Sequence, residues 1–330
     1  MKYNFSLIII FLNSCFFVFI ENVYAKPVSN SRSLRFDLSL IRQFENINMN
    51  KEPCRRVDPF VIRYSDKGNI YSLWYVGARH GPVSQNPTFL VIDWLFQSQD
   101  WKPRVIIFEG YPHSFPASEY KNKASICQRN CGESEYLVYS ALKFRIPFTG
   151  AEPSPGEIRN HLYRKGYSDD DYIGLQVIRT IISGRRKEEI RAIIPGRKIE
   201  EQIKQKSWNR LLRDFDVGEL IGKRGYKDFL KWFHHKLGKA FNINNMMNID
   251  RNYIRPHSTG NYTQRLSAYV DELRERTILK IVERSLNTYK KVLIVYGSSH
   301  HAKHRFVLEK AFSGSYGNEH ERVSSAVCSF

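Results

Sequence analysis

Two short runs, Val105-Ile-Ile-Phe108 and Val292-Leu-Ile-Val-Tyr296, are apolar at every position, and nothing else in the chain limits the fold as strongly. A strand with one wet face alternates apolar and polar side chains, so an unbroken run reads as an interior strand covered on both faces. The intervening segments supply that cover. Phe89, Leu90, Ile92, Trp94, Leu95 and Phe96 predict a largely buried helix, with Asn86 as its cap and Pro87 at its first position. Leu137, Ala141, Leu142 and Phe144 mark a helix from Ser134, and Ile146 to Gly150 reads as a further strand. Ser154-Pro155-Gly156-Glu157 has the residues of a capping box with proline at the first helical position. Ser168 and Asp171 cap the next helix, which carries Ile173, Val177, Ile178 and Ile181 and stops at Gly184. Leu266, Val270 and Leu273 mark a long helix, and Phe306, Val307 and Phe312 a closing one. Upstream, Phe60-Val-Ile-Arg-Tyr64 and Ile70 to Gly77 flank a turn rich in Gly and Asx, which predicts a hairpin. This alternation predicts an α/β fold: a mostly parallel central sheet with an N-terminal hairpin, flanking helices and a helical insertion at about 168–250.

The N-terminus has the layout of a signal peptide over residues 1–25. Lys2 precedes the apolar run Phe5 to Ile20, and Val23-Tyr24-Ala25 places small residues where cleavage after Ala25 is expected. The run is shorter than the ~20 apolar residues of a membrane span. Cys15 lies inside it instead of after it, which disfavours a lipoprotein. The mature chain is therefore expected to be exported, periplasmic or secreted, with a lead-in at 26–57 and a single domain at 58–330. Cys54, Cys127, Cys131 and Cys328 remain, an even number suited to an oxidising compartment. Of the pairings open to them, Cys127–Cys131 with Cys54–Cys328 is preferred, and no second close pair completes a zinc site. A chain of 330 residues with 42% hydrophobic content is no disordered polymer. Its formal net charge of +18 suits an anionic envelope or membrane surface, or marks only a basic exterior. No specific nucleic-acid partner is expected. The absence of a phosphate loop, a Gly-x-Ser-x-Gly elbow and a dinucleotide fingerprint argues against a nucleotide enzyme and an α/β-hydrolase.

Ligands of open α/β sheets gather outside the carboxyl ends of the strands. Here those ends carry His80, Glu109, Glu152 and His300. If the strands lie side by side, two imidazoles and two carboxylates surround one cleft, a first shell for a divalent metal or for general-base work on water. Taken singly, each is equally a solvated loop residue or a partner of a helix N-terminus. A glycine stands three residues before each histidine, which would let the strand end turn sharply. His300 and His304 are four apart and also admit a local metal pair, although a surface histidine cluster is the plainer expectation and no Glu lies between them. His234-His235 reads as part of an amphipathic surface.

These residues give the chain a resemblance to the TIKI/TraB superfamily, which also includes erythromycin-esterase-like and haem-uptake ChaN-like proteins. Gly77-Ala-Arg-His80 and Gly297-Ser-Ser-His300 look like the family's two Gly-x-x-His motifs. Glu109 in Phe108-Glu109-Gly110 and Glu152 in Gly150-Ala151-Glu152 are similar to its acidic strand ends. Asp250-Arg251-Asn252 resembles its acidic-Arg-Asn segment, with Arg251 as the residue for binding a carboxylate or an oxyanion. The last motif departs from the familiar pattern by reading on as His300-His301-Ala302-Lys303-His304, as in a distant member.

The resemblance implies a hydrolase in which His80, Glu109 and His300 hold a divalent metal (Mn, Co or Zn), with Glu152 and Arg251 completing the catalytic set. Its substrate would be a peptide. A metal-free hydrolase of a small ester is the alternative in the same class. A different class is a non-enzymatic haem- or metal-binding protein, and another is a basic adaptor docking through 185–240.

Overall fold

The computed structural model describes residues 33–47, 59–79, 87–98, 101–110, 132–183, 187–193, 200–238, 240–241 and 253–313. The expected signal peptide, all the cysteines, Asn86, Gly184, His80 and Arg251 lie outside the described residues.

Five strands form one sheet in the order β1-β2-β5-β3-β4. The hairpin is present: β1 (Phe60–Ser65) pairs antiparallel with β2 (Ser72–Ala78), from Phe60 opposite Gly77 to Ser65 opposite Ser72. Its turn is closed by Asp66, whose carboxylate accepts the Tyr71 N–H at 2.8 Å, and by Asn69 at φ +51°, a left-handed position that asparagine tolerates. The remaining strands, β3 (Val105–Phe108), β4 (Phe148–Gly150) and β5 (Lys291–Gly297), are parallel to one another and to β2. The two fully apolar runs form β3 and β5, each flanked by a strand on both sides and buried throughout its apolar run, as their composition requires.

Period-two alternation divides β5 between two cores. Ile294 and Tyr296, with Tyr75 and Ile107, face Ile278, Val282 and Leu286 of α8 (Tyr262–Tyr289) and Val307 and Leu308 of α9 (Ser298–Ser313). Leu293 and Val295, with Ile106 and Phe108, face Ile92 and Leu95 of α1 (Thr88–Gln97) and Leu137 and Ala141 of α2 (Glu133–Lys143). α1 is less buried than its composition suggests: Leu90 and Trp94 are 73% and 44% exposed, and Pro87 occupies the cap position. Phe144 likewise lies past the end of α2, exposed and stacked on Phe96. Gly77 does not make the turn expected of it. It stays within β2, where a Cβ would sit 2.2 Å from the Phe60 ring, so its role is to admit that ring.

Residues 33–47 of the lead-in are bound to the domain. Leu34 exchanges two hydrogen bonds with the Asn287 side chain of α8, at 2.9 and 2.8 Å, and Phe36 enters the core.

The helical insertion stands on its own core. α3 (Pro155–Arg164) and α4 (Asp169–Ile182) start from the two predicted capping boxes, Ser154/Glu157 and Ser168/Asp171. α5 (Lys187–Ala192), α6 (Glu201–Asp214) and α7 (Tyr226–Leu237) follow. Trp208, Leu212, Trp232 and Phe233 pack with Tyr172, Leu175 and Ile178 of α4 and Val270 of α8. Gly174 lets the Trp232 ring lie directly on the α4 backbone, where a Cβ would come within 2.3 Å of it. His234 and His235 are exposed on α7 as expected, and Lys206, Arg213, Lys223, Lys227 and Lys231 line the outer surface. Among the described residues no helix is long and apolar enough to cross a membrane.

Asp171 joins three helices. Its buried carboxylate accepts from Trp232 Nε1 of α7 at 2.8 Å, from the Tyr262 hydroxyl of α8 at 2.7 Å and from the Ser168 N–H at 2.9 Å. Burial opposes its charge, but these donors outweigh burial and hold its pKa below the usual carboxylate range. Its contribution is therefore complete above the unfolded pKa near 4 and is lost as pH falls through the lower folded value. Asp171→Ala is expected to cost about 3 kcal/mol at pH 7, since it strands buried donors. In urea titrations the gap to wild type should narrow below about pH 4; a gap independent of pH would refute the charge argument.

Candidate functional site

β2, β5, β3 and β4 are parallel neighbours, so their carboxyl ends share one edge of the sheet. Glu109 follows β3 directly, Glu152 stands two residues beyond β4, and His300 lies in the first turn of α9, which begins on the residue after β5. Backbone bonds continue the pairing past the strands: Ala151 N–H to Phe108 O at 3.3 Å and Glu152 N–H to Gly110 O at 2.9 Å. The Ser134 hydroxyl donates to Glu109 O at 2.8 Å. One ligand atom each from Glu109, Glu152 and His300 lies within 4.8 Å of the others. Three of the predicted strand-end residues are thus brought together; the fourth, His80, is outside the described residues.

The groups that hold this centre come from α8 and were not anticipated from the sequence. Arg274 grips Glu152 through both oxygens, with Nε and Nη2 each at 2.6 Å, and its Nη2 reaches Glu109 Oε1 at 3.3 Å. Burial works against the guanidinium charge, but the two carboxylates more than offset it and keep Arg274 protonated.

On the adjacent residue, Glu275 is 1% exposed and gathers three partners from α9. His300 Nδ1 lies 3.0 Å from its Oε2, His304 Nε2 lies 2.7 Å from the same atom, and Lys303 Nζ donates to Oε1 at 2.8 Å. Burial alone would raise the Glu275 pKa; the charges of His300 and Lys303 and the imidazole hydrogen bonds hold it well below the usual range. The surface histidine cluster expected from the sequence is therefore a buried one: His300, His301 and His304 are 6%, 2% and 0% exposed. Nor are His300 and His304 a local metal pair, because Glu275 lies between them and takes one nitrogen of each. Burial, with His304 and Arg305 nearby, pushes His301 down to about 3, and it stays neutral against the Tyr64 hydroxyl at 2.8 Å. Burial also lowers His304, against the pull of Glu275.

Lys303 Nζ is shared with Asp271 Oδ1 at 2.5 Å. Burial and the neighbouring Glu275 raise the Asp271 pKa, and Lys303 limits the rise. Tyr296 presents a buried hydroxyl with no hydrogen-bond partner among the described residues, and its ring meets His300 edge-on at 5.3 Å. Burial and the charges of Glu152 and Glu109 keep that hydroxyl protonated.

A sequence signal for these residues exists. Leu266, Val270, Ile278, Val282 and Leu286 form a stripe of α8 with a step of four, and Arg274 interrupts it at its centre. A charge in a core stripe needs a buried partner. An open hollow of about 520 Å³ lined by Glu157, Asn160, Tyr163, Arg164 and Leu273 lies elsewhere, between α3 and α8, and contains none of the clustered residues.

Removing Lys303 leaves Asp271 and Glu275 buried beside each other without their cation. Lys303→Met is expected to cost about 3–5 kcal/mol at pH 8. The Asp271 pKa then rises further above its unfolded value, so the folded state keeps a proton that the unfolded state releases, and stability falls as pH rises between the two. The loss should therefore be smaller at pH 5, measured by denaturant midpoints at both pH values; an equal loss would contradict the electrostatic account. Comparison with known protein families, curated proteins and solved structures finds no match for this chain.

Proposed function

We propose that the chain is an exported hydrolase in which Glu109, Glu152 and His300 hold a divalent metal and which cleaves a peptide bond. The observation that carries this reading is the convergence of those three donors within 4.8 Å at the carboxyl edge of the sheet. Two carboxylate oxygens and an imidazole nitrogen fit Mn, Co or Zn. Glu275 accepts from His300 Nδ1, the contact to a carboxylate that commonly orients a metal-binding imidazole and raises its basicity. A dication held there supplies Lewis acidity toward a carbonyl and lowers the pKa of water.

The chain's own groups supply the rest. Glu109 is the more exposed carboxylate, 28% against 11% for Glu152, and is the less tightly held by Arg274, so it is the ligand most open to an entering dication. Arg274 keeps Glu152 fixed and turns a guanidinium toward developing negative charge. The Tyr296 hydroxyl is a protonated donor beside His300. His80 and Arg251 complete the set as a further ligand and a substrate-binding group, and the exposed lysines of α6 and α7 favour an anionic envelope or membrane surface.

A second reading is favoured by Arg274. Its permanent charge already sits between the two carboxylates, which suits metal-free hydrolysis of a small ester, with His300 or Glu109 as base and Arg274 stabilising the oxyanion.

Titration of the full chain with Co²⁺, followed by visible absorption, is expected to show one saturable site. Affinity should fall by about 100-fold or more in His300→Ala and in Glu109→Gln, and by about 10–100-fold in Glu275→Gln. Peptidase activity should disappear with chelator and in His300→Ala. Undiminished Co²⁺ binding in His300→Ala refutes the metal centre; chelator-resistant ester hydrolysis that is lost in Arg274→Lys selects the second reading.

A further inference from the structure

The four parallel strands begin at the edge of the sheet opposite the candidate site. Backbone bonds align those beginnings: the Ser72 N–H meets Lys290 O at 2.8 Å, the Arg104 N–H meets Lys291 O at 2.9 Å, and the Ile106 N–H meets Pro147 O at 2.9 Å. Residues just before β2, β5, β3 and β4 therefore stand along one line, with adjacent strands about 5 Å apart. α1 descends to the same edge. Thr88 in its first turn is bonded to the Arg79 N–H, past the far end of β2, whereas Trp101, beyond its last turn, donates its indole N–H to the hydroxyl of Ser72, the first residue of β2, at 3.2 Å. α2 reaches the edge through Phe144 and Arg145, which lead into β4.

Two kinds of side chain are exposed there. Ile70, Trp94 and Phe144 are the apolar ones. Trp94 closes an aromatic row, since Trp101 stacks on Trp74 at 4.6 Å and Trp74 lies 5.8 Å from Trp94; Phe144 stacks on Phe96 at 5.1 Å. The others are cations: Lys102, Arg104, Lys143 and Arg145 are exposed and Lys291 half-buried. Among the described residues none of these five is ion-paired to a carboxylate. The carboxylates closest to them in sequence are engaged elsewhere, Asp66 with the Tyr71 N–H and Asp93 with the Tyr136 hydroxyl. Lys143 instead lies over the Phe144 ring, 5.5 Å from its centre.

We propose that this amino edge of the sheet, with Trp94 and Phe144 set among Arg104, Lys143 and Arg145, is a docking surface for a bilayer rich in anionic phospholipid. Amphipathic rings settle at the headgroup level, and long cationic side chains reach the phosphates while their stems cover apolar surface. A nucleic-acid duplex would answer the charges and leave Ile70, Trp94 and Phe144 in water. α6 and α7 also carry lysines, but no Trp or Phe among their described residues is exposed, so they offer charge without an anchor. The docking surface goes beyond the hydrolase reading and does not rest on it, because no residue of this edge belongs to the Glu109–Glu152–His300 cluster. Docked in this way, the chain holds that cluster about 20 Å further from the lipid, the length of β5, and facing solution. On the hydrolase reading the substrate then comes from solution and not from the bilayer.

The test sediments the full chain with vesicles of equimolar phosphatidylglycerol and phosphatidylcholine, and with vesicles of phosphatidylcholine alone. Wild type should bind the anionic vesicles about 10-fold or more tightly than the neutral ones. Lys143→Glu combined with Arg145→Glu should weaken that binding by about 10-fold or more. Trp94→Ala should weaken it by about 5-fold, and Trp94→Phe, which keeps a ring, by less. The same charge change on the insertion, Lys206→Glu combined with Lys231→Glu, should have the smaller effect. Brominated lipid should quench wild-type tryptophan fluorescence more than that of Trp94→Phe. Near-UV circular dichroism identifies folded variants, and the charge pair at 143 and 145 decides the matter if Trp94→Ala does not fold. No preference for anionic vesicles, or a larger loss from the insertion pair than from the edge pair, overturns the proposal. Binding to duplex DNA with none to anionic vesicles overturns it in favour of a nucleic-acid surface. Co²⁺ titration of the same samples separates the two readings: vesicle binding without metal binding upholds the docking edge and refutes the metal centre, and metal binding without vesicle binding does the reverse.

Discussion

A carboxylate taken out of water must be given donors by the protein, and Glu275 receives them from one helix, α9, while standing on another, α8. The consequence is geometric as well as energetic. α9 begins on the residue after β5 with no intervening loop, so the sheet fixes where it starts, and Glu275 fixes its rotation by holding His300, Lys303 and His304 at once. With that rotation set, His300 turns Nδ1 to Glu275 and keeps a ring nitrogen within 4.8 Å of Glu109 and Glu152 at the strand ends. The lead-in depends on the same contact, since Leu34 is bonded to α8 and the Arg42 N–H to the Lys303 carbonyl of α9. Arg274, the residue before Glu275, is then aimed at Glu152 and Glu109 from the same turn of α8.

The sheet was legible because β3 and β5 are apolar at consecutive positions, a pattern that only two-sided cover permits. The starts of α3 and α4 were legible because a capping box is local, satisfied within four residues. Glu109, Glu152 and His300 were legible because a strand end locates its next residues at one edge once the sheet is parallel. α1 was less so, since Thr88–Gln97 is mostly apolar and only Asp93 and Gln97, on the face they share with Leu90 and Trp94, mark that face as the outward one. Glu275 was not, because its meaning lies in partners 25 or more residues away and a charged residue in a long helix ordinarily faces water, while Arg274 shows only as a break in an apolar stripe that names no partner. The histidines of α9 failed for the same reason: His300 and His304 at four-residue spacing suggest a mutual site until the residue between them is known.

Arg274 has two effects on the centre that act in opposite directions. Two glutamates brought together at a strand edge repel, and the guanidinium between them removes that repulsion, so the pair is held ready without a metal. The same guanidinium competes for the oxygens a metal needs, and it cannot be neutralised at any ordinary pH. The geometry divides the two carboxylates accordingly. Glu152 accepts two bonds at 2.6 Å and is the fixed one, whereas Glu109 is reached once, at 3.3 Å, and is the more exposed.

The charge balance around the site bears on the same competition. Glu109, Glu152, Asp271 and Glu275 outnumber the fixed cations Arg274 and Lys303, while burial keeps His301 neutral. The cluster is therefore short of fixed positive charge, and Arg274 and Lys303 are each shared between two carboxylates for that reason: Arg274 between Glu152 and Glu109, Lys303 between Asp271 and Glu275.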